Sequence, residues 1–208
     1  MKKELELVLE ELEGVEKPKV SLEQYTIPSD LAAEILTIAY LAGDIKGKVV
    51  ADLGCGTGKL GIGAAILGGK VIAVDLDKDS LKVAKRNVEK IKKKFKIKVM
   101  LVCCDIKDFW AKVDTVVQNP PFGTKRRHAD RIFLEKALEL GKKIYSLHND
   151  GYKKTREFLT NFIEKRGGKV KKIIKYKFTI PHLFPFHEKP RKSYYVDLYI
   201  IEGKNENF

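Results

Sequence analysis

The chain has 208 residues, of which 44% are hydrophobic and 33% are charged, and its formal net charge is +13. This length and composition suit one globular domain with a full core, and no apolar run approaches the roughly 20 residues that span a bilayer. Because the N-terminus also lacks the apolar stretch of a signal peptide, we expect a cytoplasmic protein that does not contact membranes.

Two helices are predicted before the first strand. Apolar residues recur at helical spacing over residues 4–13, which predicts an amphipathic helix. A second helix is predicted from Ser29, as its N-cap, to Leu41. We expect residues 1–45 to pack as N-terminal helices on a domain formed by residues 46–208.

Short apolar runs then alternate with helical patterns. This alternation predicts an α/β fold with a doubly wound, seven-stranded, mostly parallel sheet whose last strand is antiparallel. The proline-containing segment 181–192 is expected to be a structured loop. Strands are predicted at 48–53, 71–75, 97–104, 113–118, 142–148, 170–180 and 194–201, and helices at 59–67, 79–94, 131–140 and 155–165.

A glycine-rich loop over residues 54–58 follows the first strand, which ends with Asp52 and Leu53. Glycines permit a tight turn and let a ligand approach the backbone N–H groups closely. Asp75 and Asp105 end the second and third strands. Because the carboxyl ends of parallel strands form the ligand-binding edge of such sheets, we expect the three aspartates to line one cofactor site.

The charge of this loop distinguishes between two adenosine cofactors. A carboxylate at Asp75 suits the ribose hydroxyls of both nicotinamide dinucleotides and S-adenosylmethionine. A dinucleotide site must hold a pyrophosphate, which Asp52 would repel, whereas S-adenosylmethionine carries cationic ammonium and sulfonium groups. Asp105 is placed to accept a hydrogen bond from an adenine amino group. We therefore expect S-adenosylmethionine and disfavour a dinucleotide oxidoreductase.

The motif Asn119-Pro120-Pro121-Phe122 follows the fourth strand. The Asn119 side-chain oxygen and the Pro120 carbonyl can both accept hydrogen bonds, and Phe122 offers a stacking face. The prolines restrict φ and stiffen the backbone. This combination suits holding a flat, amino-bearing group beside a reactive cofactor, although Phe122 could also be a core aromatic residue.

The large positive charge favours a polyanionic partner through phosphate contacts. A lysine-rich surface of a heat-adapted protein is the alternative, and the low glutamine content, with only Gln24 and Gln118, also fits heat adaptation. The basic residues form two groups, one just after the Asn119–Phe122 motif and one in the proline-containing segment 181–192. We expect both groups to bind RNA phosphates; they comprise Lys125, Arg126, Arg127 and Arg131, and Lys189, Arg191 and Lys192.

The cysteines and histidines do not form a metal motif. Cys55 lies in the glycine loop, and Cys103 and Cys104 are adjacent, without zinc spacing. We therefore expect reduced thiols and no metal. His148 and His187 are expected to be polar edge residues with satisfied hydrogen bonds.

These motifs together resemble the methyltransferase-like protein 5 family, a group within the Rossmann-like class I S-adenosylmethionine-dependent methyltransferases. The resemblance covers about Leu22 to Ile201. It rests on Leu22-Glu23-Gln24-Tyr25, on the segment from Val49 to Gly56, on Asn119 to Lys125, on Tyr145-Ser146-Leu147-His148, on Phe186-His187 and on Val196-Asp197-Leu198. It implies methyl transfer to N6 of one adenosine in small-subunit ribosomal RNA.

The resemblance also implies site residues and partners. Asn119, Pro120, Pro121 and Phe122 fall around the target base. Where eukaryotic members read Tyr-Pro-Thr, this chain reads Tyr25-Thr26-Ile27-Pro28. Eukaryotic members work with a small zinc-ribbon activator subunit. The expected cofactor-binding residues are Gln24, Tyr25, Thr26, Asp52, Gly54, Cys55, Gly56, Thr57, Gly58, Lys59, Asp75, Leu76, Asp105, Ile106 and Asn119.

Two further functions compete with this interpretation. Relatives of the Asn-Pro-Pro-aromatic motif occur in methyltransferases that modify protein glutamine or other nucleic-acid amino groups. A non-catalytic RNA-binding module could keep the same fold. The intact motif and the three aspartates argue against that module.

Overall fold

The computed structural model describes residues 1–15, 26–121, 129–149, 153–181 and 191–204. The helices and strands follow one another in the order that the sequence predicts. The helices are α1 (Lys2–Glu10), α2 (Ser29–Leu41), α3 (Lys59–Ile66), α4 (Lys78–Lys92), α5 (Ala129–Leu140) and α6 (Lys153–Glu164). The strands are β1 (Val49–Leu53), β2 (Lys70–Asp75), β3 (Lys98–Cys103), β4 (Val113–Gln118), β5 (Gly141–Asn149), β6 (Lys169–Pro181) and β7 (Arg191–Glu202).

The strands form one seven-stranded sheet in the order β3-β2-β1-β4-β5-β7-β6. Strands β1 to β5 pair in parallel, whereas β7 is antiparallel to β5 and to β6 on either side of it. The predicted sheet, with its antiparallel last strand, is confirmed. Short apolar runs suit the parallel strands because helices cover both faces of the sheet.

Successive strand residues point to opposite faces, and each face has its own core. In β1, Val50 packs into the core that includes α1 to α4, and Ala51 packs into the core formed with α5 and α6. Leu5 and Leu9 of α1 are buried in the first of these cores. The helices of residues 1–45 thus share a core with the sheet, and the boundary at residue 46 stays a prediction.

Helix α4 also fixes the segment that follows α1. The buried Asn87 side chain accepts a hydrogen bond from Glu13 N (2.8 Å) and donates to Glu13 O (3.0 Å). Lys94 Nζ contacts Glu11 Oε2 at 2.7 Å. The N-terminal segment is therefore held to α4 and the residues after it by polar contacts, in addition to the leucines that it buries in the core.

Two local predictions are wrong. Pro28, not Ser29, occupies the N-cap of α2, and Ser29 is the first helical residue. Segment 181–192 is not all loop, because Pro181 belongs to β6 and pairs with Arg191 of β7. Backbone pairing continues to the ends of both strands, and a proline at a strand end is compatible with pairing there.

Candidate active site

The glycine loop joins β1 to α3 at the carboxyl edge of the sheet. The N–H groups of Gly54 and Cys55 both donate to Val74 O at 2.9 Å, which fastens the loop to β2. Gly56 has φ of 54°, and a Cβ at this position would meet no atom within 4 Å. The loop therefore presents open space on the side where a ligand would approach its backbone.

Asp75 holds this loop from the end of β2. Its Oδ2 accepts a hydrogen bond from Gly56 N at 2.7 Å, and its Oδ1 accepts from Asp77 N at 2.8 Å. Burial raises the pKa of Asp75 above its ordinary value, against the effect of these hydrogen bonds. A carboxylate has about four lone-pair positions, so Asp75 can still accept hydrogen bonds from a ligand.

Asp52 is buried beneath the loop. Its Oδ2 accepts from Gly61 N at 2.7 Å, which anchors the first turn of α3 to β1. Burial raises the pKa of Asp52 to about 7, and the neighbouring charge of Asp75 adds to the rise. Two acids in one poorly solvated site favour a cationic ligand and disfavour a pyrophosphate. This charge set fits S-adenosylmethionine.

The other predicted cofactor positions surround the same edge. Asp105 lies two residues beyond β3, and its Oδ1 accepts from Lys107 N at 3.0 Å. Ile106 is buried, whereas Leu76 is exposed beside the end of β2. Because Asp75 and Cys103 are register partners, these segments leave neighbouring strands at the same level.

The remainder of the loop is fixed by residues that the sequence predictions only partly anticipate. Lys59 begins α3, and its Nζ donates to Ser29 Oγ at 3.0 Å; burial lowers the pKa of this lysine. Asn87, which was not predicted, donates to Thr57 O at 3.0 Å. Cys55 is buried, and burial raises the pKa of its thiol.

The motif that begins with Asn119 leaves β4, the central strand, next to the glycine loop. Leu53 of β1 and Gln118 of β4 are register partners. Gly54 and Asn119 therefore follow neighbouring strands at the same level. Pro120 is buried, and Asn119 and Pro121 are half-buried.

A buried hydrogen-bonded chain lies beside the motif. Gln118 Nε2 donates to Ser146 Oγ at 2.8 Å, and Ser146 Oγ lies 2.8 Å from His148 Nε2. Since Ser146 accepts from Gln118, its own hydrogen can be donated to His148 Nε2, which leaves the imidazole proton on Nδ1. Among the described residues, neither His148 Nδ1 nor Gln118 Oε1 has a hydrogen-bond partner.

His148, at the end of this series of hydrogen bonds, is buried. Its ring meets Tyr199 edge-on, with centroids 5.3 Å apart. Burial lowers the pKa of His148 to about 4, so the ring is neutral near pH 7. The prediction of an edge residue with satisfied hydrogen bonds is wrong, because His148 is buried and one ring nitrogen is unpaired within the described part of the chain.

Several predicted site residues fall outside the described residues. They are Gln24, Tyr25, Phe122, Lys125, Arg126, Arg127, His187 and Lys189. Thr26 is exposed just before α2. Arg131 lies in α5, with its guanidinium carbon 4.4 Å from the centre of the Phe158 ring. Arg191 and Lys192 belong to β7 and not to a loop.

The residues that sequence reasoning missed are buried polar ones. Asn87 sits at a position of α4 that faces the core, and Gln118 and Ser146 sit in apolar strands. The sequence would indicate such residues only as polar residues at positions that the helical or strand periodicity assigns to the core.

Within the described ranges, no group of three or more His, Cys, Asp or Glu side chains could hold a metal ion. No helix in these ranges is long and apolar enough to cross a membrane.

Comparison with known proteins agrees with this geometry. The family model of the methyltransferase small domain matches residues 28–151. The rRNA N(6)-adenosine-methyltransferase METTL5 of Danio rerio is 38% identical over 200 residues, which cover 94% of this chain and 95% of the relative.

Solved structures show the same fold. A candidate RNA methyltransferase from Pyrococcus horikoshii is 43% identical, with a TM-score of 0.89 and 98% of both chains covered. Magnesium protoporphyrin IX methyltransferase from Synechocystis with bound S-adenosylmethionine shares the fold at 15% identity, with a TM-score of 0.66, over 88% of this chain and 81% of that one. The chain therefore belongs to the methyltransferase small domain family and, within it, to the methyltransferase-like protein 5 (METTL5) family of class I methyltransferases.

Proposed function

We propose that this chain methylates N6 of an adenosine in small-subunit ribosomal RNA, with S-adenosylmethionine as the methyl donor. One observation carries the proposal. The register pair Leu53 and Gln118 brings the glycine loop and Asn119 to the same level of adjacent strands. A cofactor held by the loop and an amino group held by Asn119 would therefore be neighbours.

The acidic edge of the sheet would hold the cofactor. In the proposal, Asp75 accepts hydrogen bonds from the ribose hydroxyls, Asp105 accepts from the adenine amino group, and Asp52 offsets the ammonium charge. The open side of Gly56 leaves room for the ligand against the backbone. When bound, the cofactor supplies an electrophilic methyl group on a positively charged sulfur.

The amide motif would prepare the nucleophile. An adenine amino nitrogen is a poor nucleophile because its lone pair is delocalised into the ring. Hydrogen bonds to Asn119 Oδ1 and to the Pro120 carbonyl oxygen would pull the nitrogen towards sp³ geometry and aim its lone pair at the methyl group. Positioning of this kind can supply much of the reduction of the barrier. The surplus proton then leaves to water, so no strong general base is required.

Phe122 would stack on the target base once the base lies outside a helix. The basic groups around residues 125–131 and 189–192 would contact phosphates on either side of it. Phosphate contacts make binding salt-dependent, and each one lost lowers the salt slope by about 0.7 for single-stranded RNA. Substitution of Arg131 by alanine should therefore lower the salt slope by about that amount.

The decisive experiment identifies the modified nucleoside. Labelled S-adenosylmethionine is incubated with the protein and small-subunit RNA or subunits, and the RNA is digested to nucleosides. Label in N6-methyladenosine supports the proposal. Label in protein alone would instead favour methylation of glutamine, and bound cofactor without transfer to any acceptor would favour the non-catalytic RNA-binding role.

Asn119→Ala tests the amide. We expect methyl transfer to fall more than about 100-fold, because the amino group loses one of its two acceptors, while cofactor affinity in calorimetry falls much less. Asn149→Ala is the matched control, since Asn149 is an exposed asparagine that ends the neighbouring strand β5. Turnover of Asn119→Ala close to that of the control would remove Asn119 from the mechanism.

We also propose a small zinc-ribbon activator subunit that binds at the edge of the sheet formed by β3. This strand is at one edge of the sheet; its Met100 exposes 62% of its surface, and Trp110, in the segment between β3 and β4, exposes 69%. A free strand edge with exposed apolar side chains is suited to accept a partner strand. Met100→Lys should abolish co-purification with the activator and its effect on turnover, whereas retention of both would exclude this edge.

A further inference from the structure

Two exposed aromatic rings, each accompanied by cations, lie on the α6 side of the sheet. Phe158 of α6 and Tyr195 of β7 each expose 42% of their surface. The Arg131 guanidinium carbon lies 4.4 Å from the centre of the Phe158 ring. The Nζ atoms of Lys175 and Lys177 lie 4.6 and 5.7 Å from the centre of the Tyr195 ring.

An ion pair between half-exposed Arg156 and buried Asp197 joins the two elements that carry the rings. Arg156 of α6 makes two hydrogen bonds of 2.7 Å to the carboxylate of Asp197 in β7. Phe158 follows Arg156 by two residues, and Tyr195 precedes Asp197 by two. Because alternate strand residues share a face, Tyr195 lies on the side of the sheet that α6 covers.

Both rings are also close to the edge of the sheet from which the catalytic motif emerges. Asn149, the last residue of β5, pairs with Val196, so Tyr195 lies one residue beyond the end of β5. Arg131 stands near the start of α5, which follows the motif in the chain. Tyr195 and the start of α5, whose Arg131 contacts Phe158, thus lie towards the carboxyl edge of the parallel strands, where the motif leaves β4.

We propose that Phe158 and Tyr195 are stacking platforms for unpaired bases that flank the target adenosine, with Arg131, Lys175 and Lys177 directed to the phosphates between them. This inference rests on the proposed function, because it names the part of the RNA that this surface holds. Every base has a π-face, so stacking on an aromatic ring combined with nearby cations is a general way to hold single-stranded RNA.

The charges around the rings favour RNA over a protein partner. Strand β6 exposes five lysines, Lys169, Lys171, Lys172, Lys175 and Lys177, and the chain carries a net charge of +13. The carboxylate nearest to the rings in β7, that of Asp197, is already paired with Arg156. A surface of this sign complements phosphates, and its binding would release cations condensed on the RNA.

Two features of the chain provide matched controls. Trp110, in the segment between β3 and β4, exposes 69% of its surface, and no cation–π contact is found for it within the described residues. Arg166 lies 3.6 Å from the centre of the Phe162 ring, but its guanidinium is paired with Glu135 at 2.8 Å. Arg166 follows the far end of α6, so this second cation–π pair is remote from the motif.

The test measures binding of a fluorescent single-stranded RNA of mixed sequence, by anisotropy, at several salt concentrations. Phe158→Leu and Tyr195→Leu keep an apolar side chain but remove the π-face. Each should raise the dissociation constant about 5- to 100-fold without changing the salt slope. Phe158→Tyr keeps the π-face and should bind the RNA as tightly as the unaltered protein does. Lys175→Ala combined with Lys177→Ala should lower the salt slope by about 1.4.

Trp110→Leu and Arg166→Ala should leave RNA affinity unchanged. Unchanged affinity in both Phe158→Leu and Tyr195→Leu, with intact folding by circular dichroism, overturns the proposal; this is also the result expected if the rings bind a protein. Failure of the proposed function is recognised separately, as absence of N6-methyladenosine with the unaltered chain. A chain that methylates RNA but ignores both leucine substitutions refutes the platform and leaves the activity standing.

Discussion

The Asp52→Asn substitution should change how the stability of the ligand-free protein depends on pH. Burial raises the pKa of Asp52 from 3.8 to about 7 in the folded chain. The unfolded chain therefore ionises this carboxyl at lower pH than the folded chain does, and stability is lost as pH rises through the folded pKa. At one pKa unit per 1.36 kcal/mol, the raised pKa of Asp52 lowers the free energy of unfolding by about 2 kcal/mol at pH 5 and by about 4 kcal/mol at pH 8, relative to low pH.

His148 acts in the opposite direction over the same range. Its pKa is lowered from 6.5 to about 4 by burial, so the unfolded chain takes up the proton first as pH falls. The stability contributed by neutral His148 is complete above pH 6.5 and is about 2 kcal/mol smaller at pH 5. These two contributions nearly cancel between pH 5 and 8 in the unaltered protein.

Asp52→Asn removes the pH-dependent contribution of Asp52 to stability and leaves that of His148. The unfolding free energy of the variant should rise by about 2 kcal/mol from pH 5 to 8, and the difference between variant and parent should change by about 2–3 kcal/mol. The measurement is guanidinium unfolding of both proteins at closely spaced pH values. A constant offset from the new amide does not affect the slope, and Asp75 titrates in both proteins.

Parallel pH curves for parent and variant would refute the reasoning, because they would place the pKa of Asp52 near its ordinary value. Titration of the carboxyl carbon of Asp52 by nuclear magnetic resonance gives an independent check in the intact chain. A midpoint close to 4 would lead to the same rejection, even if the variant were too unstable to compare.

Three further predictions concern stability. Arg156→Ala should cost about 2–3 kcal/mol in urea unfolding, because Asp197 stays buried without its bidentate partner, whereas Arg166→Ala should cost less than about 1 kcal/mol because its partner is exposed; equal costs would contradict the role of burial. Gly63→Ala should cost about 1–3 kcal/mol because its Cβ would overlap Leu36, and Leu36→Ala should cost less in that background, a coupling that a double-mutant cycle would detect or exclude. Ser146→Ala should cost about 2–4 kcal/mol by calorimetry, since it removes the shared partner of two buried side chains, and a change within about 0.5 kcal/mol would show that the chain from Gln118 to His148 is not maintained.

The sheet could be predicted from local patterns because its strands are nearly continuous apolar runs. Strand β4, for example, has the bounds that its sequence from Val113 to Gln118 predicts. The long pair β6 and β7 could not be bounded, because pairing continues to Pro181 and Arg191, where the sequence favours a loop. Cross-strand pairing in that hairpin decides the outcome there, and it is not a local property.

The candidate site was predictable where chain order alone brings residues together. Asp52 and Asp75 lie at the ends of β1 and β2, Gly56 lies in the loop after β1, and a hydrogen bond of 2.7 Å joins Gly56 N to Asp75. Asn87 was not predictable in this way, because its partners Thr57 and Glu13 are 30 and 74 residues away in the chain. The same holds for Ser146, whose contact with Gln118 depends on the pairing of β4 with β5.

Asn87 has a consequence for the order in which the protein is made. Its amide bonds both to the carbonyl of Thr57 in the glycine loop and to the backbone of Glu13. During synthesis Glu13 leaves the ribosome well before Asn87 does, so these bonds form only after α4 has been released. Because Asn87 is buried, an N-terminal truncation that removes Glu13 would leave its amide with unpaired groups. The segment around Glu13, although synthesised first, thus gains its contacts with Asn87 only after all the residues up to α4 have been made.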